Sequence, residues 1–223
     1  MKINRKNLPL AAALCLASVL FTVLVCLVDV QPVGPQGTEV GFAKLNSAFH
    51  NLTGESMTWY KITEIVGYLA ILIVGVFCAI GVMQLIRRKS IQKVDQEIIA
   101  IGVLFVVIAI LYVVFEKFPL NYRPVIMEGE TEPEASFPSS HTLLACTVFG
   151  STILMADRLK DRQIRQIVTV AMFVLIAVMI IGRLVSGVHW LTDILASILY
   201  SAALLTVFSM FLRKRRRRSA HVR

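Results

Sequence analysis

Apolar residues fall in six long blocks, at 8–28, 65–86, 98–115, 135–156, 166–182 and 194–212, and no block contains Asp, Glu, Lys or Arg. A helix needs about 20 mostly apolar residues to cross a hydrocarbon core of about 30 Å. The blocks are too long for strands and lack the alternation of a membrane β-barrel. The pattern predicts an all-α integral membrane protein, a bundle of six transmembrane helices in a single domain. Their expected bounds are about 8–28, 65–86, 98–115, 137–156, 166–182 and 190–212, and the fifth is the shortest. Lys2, Arg5 and Lys6 precede the first block as in a secretory signal. That block exceeds the usual apolar run of roughly 7–15 residues and no small-x-small site follows, so it reads as a retained helix.

The connection 29–61 is long. Within it Phe42, Leu45, Phe49 and Leu52 recur at helical spacing, which predicts a short helix on the membrane surface, with His50 exposed beside the stripe.

Composition supports the membrane reading. The chain is 57% hydrophobic and 17% charged, against about 45–50% and 25% in soluble domains. A disordered chain, a coiled coil and a disulfide-stapled secreted domain are excluded. Charge sets the orientation. Eighteen of the 23 Lys and Arg lie in the N-terminus, the 87–97 and 157–165 connections and the tail. Cytoplasmic segments are rich in Lys and Arg, so both termini are expected in the cytoplasm of a multi-pass plasma-membrane protein. The basic tail 213–223 reads as an anchor touching anionic lipid heads, with nucleic acid a less fitting partner. Trp59 and Trp190 fall at the outer interface, where aromatic belts sit. Cys15, Cys26, Cys78 and Cys146 all lie within spans, as buried apolar thiols without a disulfide framework or a zinc motif. Asn51-Leu52-Thr53 is an outer sequon of little weight.

Five basic residues fall on the outer side: Lys44, Lys61, Lys117, Arg123 and Arg183. The last three sit at helix ends and share that face with His141, His189 and Asp193. Ionisable groups at membrane depth are costly and usually mark a site. His189 and Asp193 are four apart at a helix start, on one face. The carboxylate can hold one ring nitrogen and leave the other as a nucleophile; a satisfied interfacial pair is the plainer alternative. Pro138-Ser139-Ser140-His141 opens a helix, with the proline and serine that helix starts favour, and free N–H groups there attract anions. Three cations, a helix start and two histidines describe a phosphate site that requires no metal.

These residues resemble a known signature. Lys117 with Arg123-Pro124, then Pro138-Ser139-Ser140-His141, then Gly182-Arg183 through His189 to Asp193 are similar to the three motifs of the type 2 phosphatidic acid phosphatase family, which shares its site architecture with vanadium haloperoxidases and glucose-6-phosphatase. The third motif matches without a gap. The first has five residues between Lys and Arg, where the family has six. Ser140 stands where the second has glycine, and Gly182 where the third often has serine.

The resemblance implies a membrane lipid phosphate phosphatase. In it His189 forms a phosphohistidine, Asp193 orients that ring, and His141 is general acid and then base. Lys117, Arg123, Arg183, Ser139 and Ser140 bind the phosphoryl oxygens, without metal or cofactor. The substrate is expected to be a lipid phosphate or diphosphate met at the outer face. Undecaprenyl diphosphate is favoured, with phosphatidic acid or phosphatidylglycerol phosphate next. Glu128, Glu130, Glu132 and Glu134 border the site, as a solvated rim in preference to a lid. Rival readings are a non-catalytic lipid-phosphate-binding relative, a transporter or scaffold, and a zinc hydrolase using His141, His189 and Asp193.

Overall fold

A computed structural model describes residues 5–127 and 129–212. The expected anchor in the tail and Glu128 lie outside the described residues. Among the described residues are seven α-helices, α1 (Leu8–Leu27), α2 (Ala43–Thr53), α3 (Met57–Arg88), α4 (Gln96–Lys117), α5 (Ser140–Ala156), α6 (Arg162–Val185) and α7 (Leu191–Phe211). Arg5–Leu27, Met57–Arg88, Gln96–Lys117, Arg162–Val185 and Leu191–Phe211 are long and apolar enough to cross a membrane, and Ser140–Ala156 is a shorter apolar helix.

Each apolar block forms a helix, with two revisions of length. The second block begins two turns earlier than its apolar run, because α3 starts at Met57 and carries Lys61 and Glu64 inside the helix. The fifth block belongs to a helix of 24 residues, started by Asp161, whose side chain accepts from the N–H groups of Gln163 and Ile164. The shortest long helix is therefore α5, with 17 residues.

The core position belongs to α5. Thr142, Leu143, Ala145, Thr147, Val148, Phe149, Gly150 and Ser151 are all buried, so the helix is enclosed on nearly every side by α3, α4, α6 and α7. Small residues let membrane helices approach closely. A Cβ added at Gly150 would come 2.4 Å from Leu205 Cδ1. Thr147 Oγ1 donates to Ser201 Oγ on α7 at 3.1 Å. Helix α1 lies on α7 through Ala11, Ser18 and Val25, buried at seven-residue intervals, and through Thr22, 2.8 Å from the Tyr200 hydroxyl.

The outward faces of α1, α3, α4 and α6 carry exposed Leu, Ile, Val and Phe, as lipid-facing surfaces do. Cys15, Cys26 and Cys78 are exposed there, and only Cys146 is buried within the protein. The expected surface helix is present as α2, but it packs downward through Ala43 and Asn46, while Leu45 and Leu52 are exposed. His50 is half-buried, 5.6 Å from the Trp190 ring centroid. Trp190 itself is buried and donates from Nε1 to Tyr122 O at 2.7 Å. It pins two loops together instead of joining an aromatic belt.

Candidate active site

The 118–139 and 186–190 connections meet at the end of the bundle that also carries α2. Strand-like pairing holds the first of them: Tyr122 and Ala135 form an antiparallel bridge, and Arg123 N–H donates to Glu134 O at 2.9 Å. That pairing turns Arg123 toward the start of α5. Its Nη1 meets Glu134 Oε2 at 3.0 Å.

His189 is buried in the tight α6–α7 connection, after Gly187 at φ 73°. Its Nδ1 lies 3.7 Å from Asp193 Oδ2, close enough for attraction but longer than a hydrogen bond. Asp193 is instead fixed by the backbone. Its Oδ2 accepts Trp190 N–H at 3.0 Å, which ties off the first turn of α7. Oδ1 accepts from Asn121 Nδ2 at 3.3 Å. Burial holds the His189 imidazole well below its ordinary pKa, and the charges of Arg183 and then Arg123 push it the same way. That direction favours the neutral ring.

Arg183 is fully buried on the last turn of α6. Its Nη2 donates to Glu64 Oε1 at 2.6 Å, and its guanidinium carbon sits 5.1 Å from the centroid of the Tyr60 ring. The same Glu64 oxygen is 3.1 Å from Nε2 of His141. Glu64 joins the first turn of α5 to the last turn of α6. It is the site residue that the sequence reading missed, because the helix carrying it starts before the apolar block.

Four buried nitrogens here have no hydrogen-bond partner among the described residues, Arg183 Nε and Nη1, Arg123 Nε and His141 Nδ1, and the His189 ring beside them meets the Ser136 backbone. Buried polar groups are almost always paired. A cluster of unpaired donors around two histidines fits an anion whose oxygens accept from the guanidinium groups. No three His, Cys, Asp or Glu side chains among the described residues gather as a metal-binding group.

The remaining expected residues divide. Ser140 begins α5 and lines the adjoining cavity. Ser139 is buried and its N–H donates to Asp193 O at 3.2 Å, so that group is committed inside the protein. Lys117 ends α4, is exposed, and is absent from the cavity wall, which its neighbour Glu116 joins. Glu134 also lines the cavity and is bound to Arg123, so this member of the acidic stretch is part of the site wall.

That cavity, about 520 Å³, runs between α3, α4 and α5. Arg123, Glu134, Ser140 and His141 lie in its polar part, and Ile71, Phe105, Ile108 and Leu144 in its apolar part.

The comparisons agree with this architecture. A solved structure described as the first transmembrane PAP2 type phosphatidylglycerolphosphate phosphatase from Bacillus subtilis is similar over 89% of this chain and 93% of that one, with TM-score 0.61 and 16% identity. No curated protein matches the chain. The sequence pattern of the PAP2 superfamily matches residues 100–217, a stretch that holds all three motifs. With more than half of its length matched, the chain belongs to the PAP2 superfamily.

Proposed function

We propose that this protein is an integral membrane phosphatase that hydrolyses a lipid phosphate or diphosphate at the outer face of the plasma membrane. In this reading α5 completes six spans, both termini are cytoplasmic, and the site faces outward. The carrying observation is the set of unpartnered buried nitrogens on Arg123, Arg183 and His141, beside the buried His189 ring, at one end of the bundle. The guanidinium nitrogens supply donors of the kind that phosphoryl oxygens accept from, and the two histidines stand where a nucleophile and an acid–base group are needed.

Neutral His189 attacks phosphorus in line, the P–O bond to the lipid breaks, and a phosphohistidine forms. Asp193, held by Trp190 N–H and Asn121, offsets the charge that the ring gains. His141 gives a proton to the departing oxygen. It then takes one from the water that attacks phosphorus and frees His189. Arg123 and Arg183 hold the phosphoryl oxygens, with the N–H of Ser140. Lys117, at the exposed end of α4, is assigned to the same group by its motif. No step uses a metal or a cofactor.

The apolar cavity beside His141 and Arg123 supports a lipid over a soluble phosphate, since it offers an acyl or prenyl tail a place between α3, α4 and α5. Undecaprenyl diphosphate is the favoured substrate, followed by phosphatidic acid and phosphatidylglycerol phosphate. Phosphate release by the purified protein from these three lipids in detergent tests the proposal. The expected result is turnover of at least one, lost in His189→Ala and in His141→Ala. Binding without turnover would assign the protein to non-catalytic lipid binding.

A further inference from the structure

Glu64 lies outside all three motifs and near the start of an apolar helix, yet one of its oxygens touches two of them. Oε1 is 2.6 Å from Arg183 Nη2 and 3.1 Å from His141 Nε2. Neighbouring residues on α3 make the same approach. The Tyr60 ring lies against Arg183. Thr63 packs on Gly182, where an added Cβ would come 2.5 Å from its Cγ2. Gly67 leaves room for the His141 ring, since a Cβ there would come 2.8 Å from its Cδ2. Positions 60, 63, 64 and 67 form one helical face. That face of α3 holds the start of α5 against the end of α6.

We propose that Glu64 is a positioning residue, one that keeps the His141 imidazole turned with its Nε2 proton toward α3 and its Nδ1 toward the reacting group. The proposal rests on the phosphatase reading given above. An ionised carboxylate only accepts hydrogen bonds, so the nitrogen facing Glu64 carries a proton in both ring states. The nitrogen left for chemistry is Nδ1, which is buried and without a partner. In the first half-reaction the Nδ1 proton passes to the leaving oxygen as its bond to phosphorus breaks, and the ring becomes the neutral Nε2–H tautomer. In the second, Nδ1 takes a proton from water while the water oxygen bonds to phosphorus. The P–N bond breaks, its electron pair returns to His189, and the His141 imidazolium is restored. Glu64 exchanges no proton in either step. Arg183 grips the carboxylate from the other side, so the acceptor stays fixed as the ring changes charge.

The test uses the purified full-length protein in detergent, as wild type, Glu64→Gln, Glu64→Asp, Glu64→Ala and His141→Ala. With ¹⁵N-labelled histidine, the His141 signals are those missing from His141→Ala. The expected wild-type spectrum has Nε2 protonated. Glu64→Ala is expected to show mixed tautomers. In phosphate release from the lipid that the wild type turns over best, Glu64→Ala is expected to lower kcat by at least about tenfold with KM little changed, as a misplaced acid–base group does. Glu64→Asp and Glu64→Gln, which keep an acceptor, recover part of it. Should Glu64→Ala fail to fold with Arg183 unpaired, the folded Glu64→Gln carries the comparison, with kcat below wild type and an altered His141 signal expected. An unprotonated Nε2 in the wild type overturns the proposal, as does wild-type kcat in a folded Glu64 variant with unchanged His141 signals. If the wild type releases no phosphate from any lipid, the phosphatase reading fails separately. The histidine spectrum then still decides whether Glu64 sets the ring.

Discussion

Asn121 joins the loop before α2 to the site carboxylate: its Nδ2 donates to Asp193 Oδ1 at 3.3 Å, while its Oδ1 accepts Gly41 N–H, also at 3.3 Å. The contact belongs to a buried network. Asn46 donates from Nδ2 to Gly41 O at 2.8 Å and to Thr192 Oγ1 at 2.9 Å, and accepts Thr192 N–H at 3.2 Å. The loop before α2 and the first turn of α7 are therefore fixed against each other through two asparagines. Replacing Asn121 by Ala leaves a carboxylate oxygen and an N–H without these partners. The expected cost is about 1–3 kcal/mol, read as a lower melting temperature in detergent, together with reduced kcat. Asn46→Ala is expected to lower stability similarly with a smaller effect on kcat, since it does not touch Asp193. Unchanged melting temperatures would contradict this role for the network.

The buried imidazole of His189 sets a pH dependence. Its folded pKa lies well below the ordinary value, near 6.5 for a free histidine. The folded state therefore takes up this proton less readily than the unfolded chain. Its contribution to stability is fully present above about pH 6.5 and is lost as pH falls from there through the folded pKa. The charged groups bearing on the ring are Arg183, Arg123 and Glu64, with Asp193 beside Nδ1. The acid limb that His189 gives to kcat/KM is expected well below pH 6.5. Comparison of melting temperature against pH for wild type and His189→Gln checks the sign: the variant should lose less stability on acidification.

Gly67 offers a test of the approach of α3 to α5. An alanine there must displace the His141 ring, since its Cβ would sit 2.8 Å from Cδ2. Misplacing a reacting group by about 1 Å can cost 10²-fold in rate. Gly67→Ala should fold and bind lipid phosphate while its kcat falls at least about tenfold. Gly75, with nothing within 4 Å of an added Cβ, is the control, and Gly75→Ala should keep wild-type kcat.

The two cations of the first motif should behave unequally. Arg123 lines the cavity and Lys117 does not. Removing one donor to a transition-state oxygen costs about 10²–10³ in kcat. Arg123→Ala is expected in that range, and Lys117→Ala well short of it. Equal losses would show that Lys117 enters the site with substrate bound.

Filling the apolar part of the cavity separates tail recognition from chemistry. Ala109→Phe places a ring in the wall between α3, α4 and α5. It should raise KM for a long-chain lipid phosphate and leave the KM of a short-chain, water-soluble ester unchanged. A parallel rise for both would argue against the tail site.

Much of this was legible in the sequence for physical reasons. Uncharged blocks of bilayer length have one solution, so all six became helices. The alternation of helix ends then brought Arg123, His141, Arg183, His189 and Asp193 to one end of the bundle, because motifs in odd-numbered connections share a side. Three things were not legible. Glu64 stands just before the second apolar block, and its partners come from two other helices; only the helical spacing of Tyr60, Thr63, Glu64 and Gly67 marks that face. Ser139 N–H looked available to an anion, and its bond to Asp193 O depends on how α7 meets α5. Trp190 had the composition of a belt residue, and its burial reflects the packing of α2 and the 118–139 loop above it.

The central claim is that the His189 ring becomes covalently bonded to phosphorus. Its most direct test is a rapid alkaline quench of the purified protein during turnover of a ³²P-labelled lipid phosphate, followed by peptide mapping. The expected result is an alkali-stable, acid-labile label on His189, absent from His189→Ala. Sustained phosphate release with no label on His189 at any quench time would contradict the account.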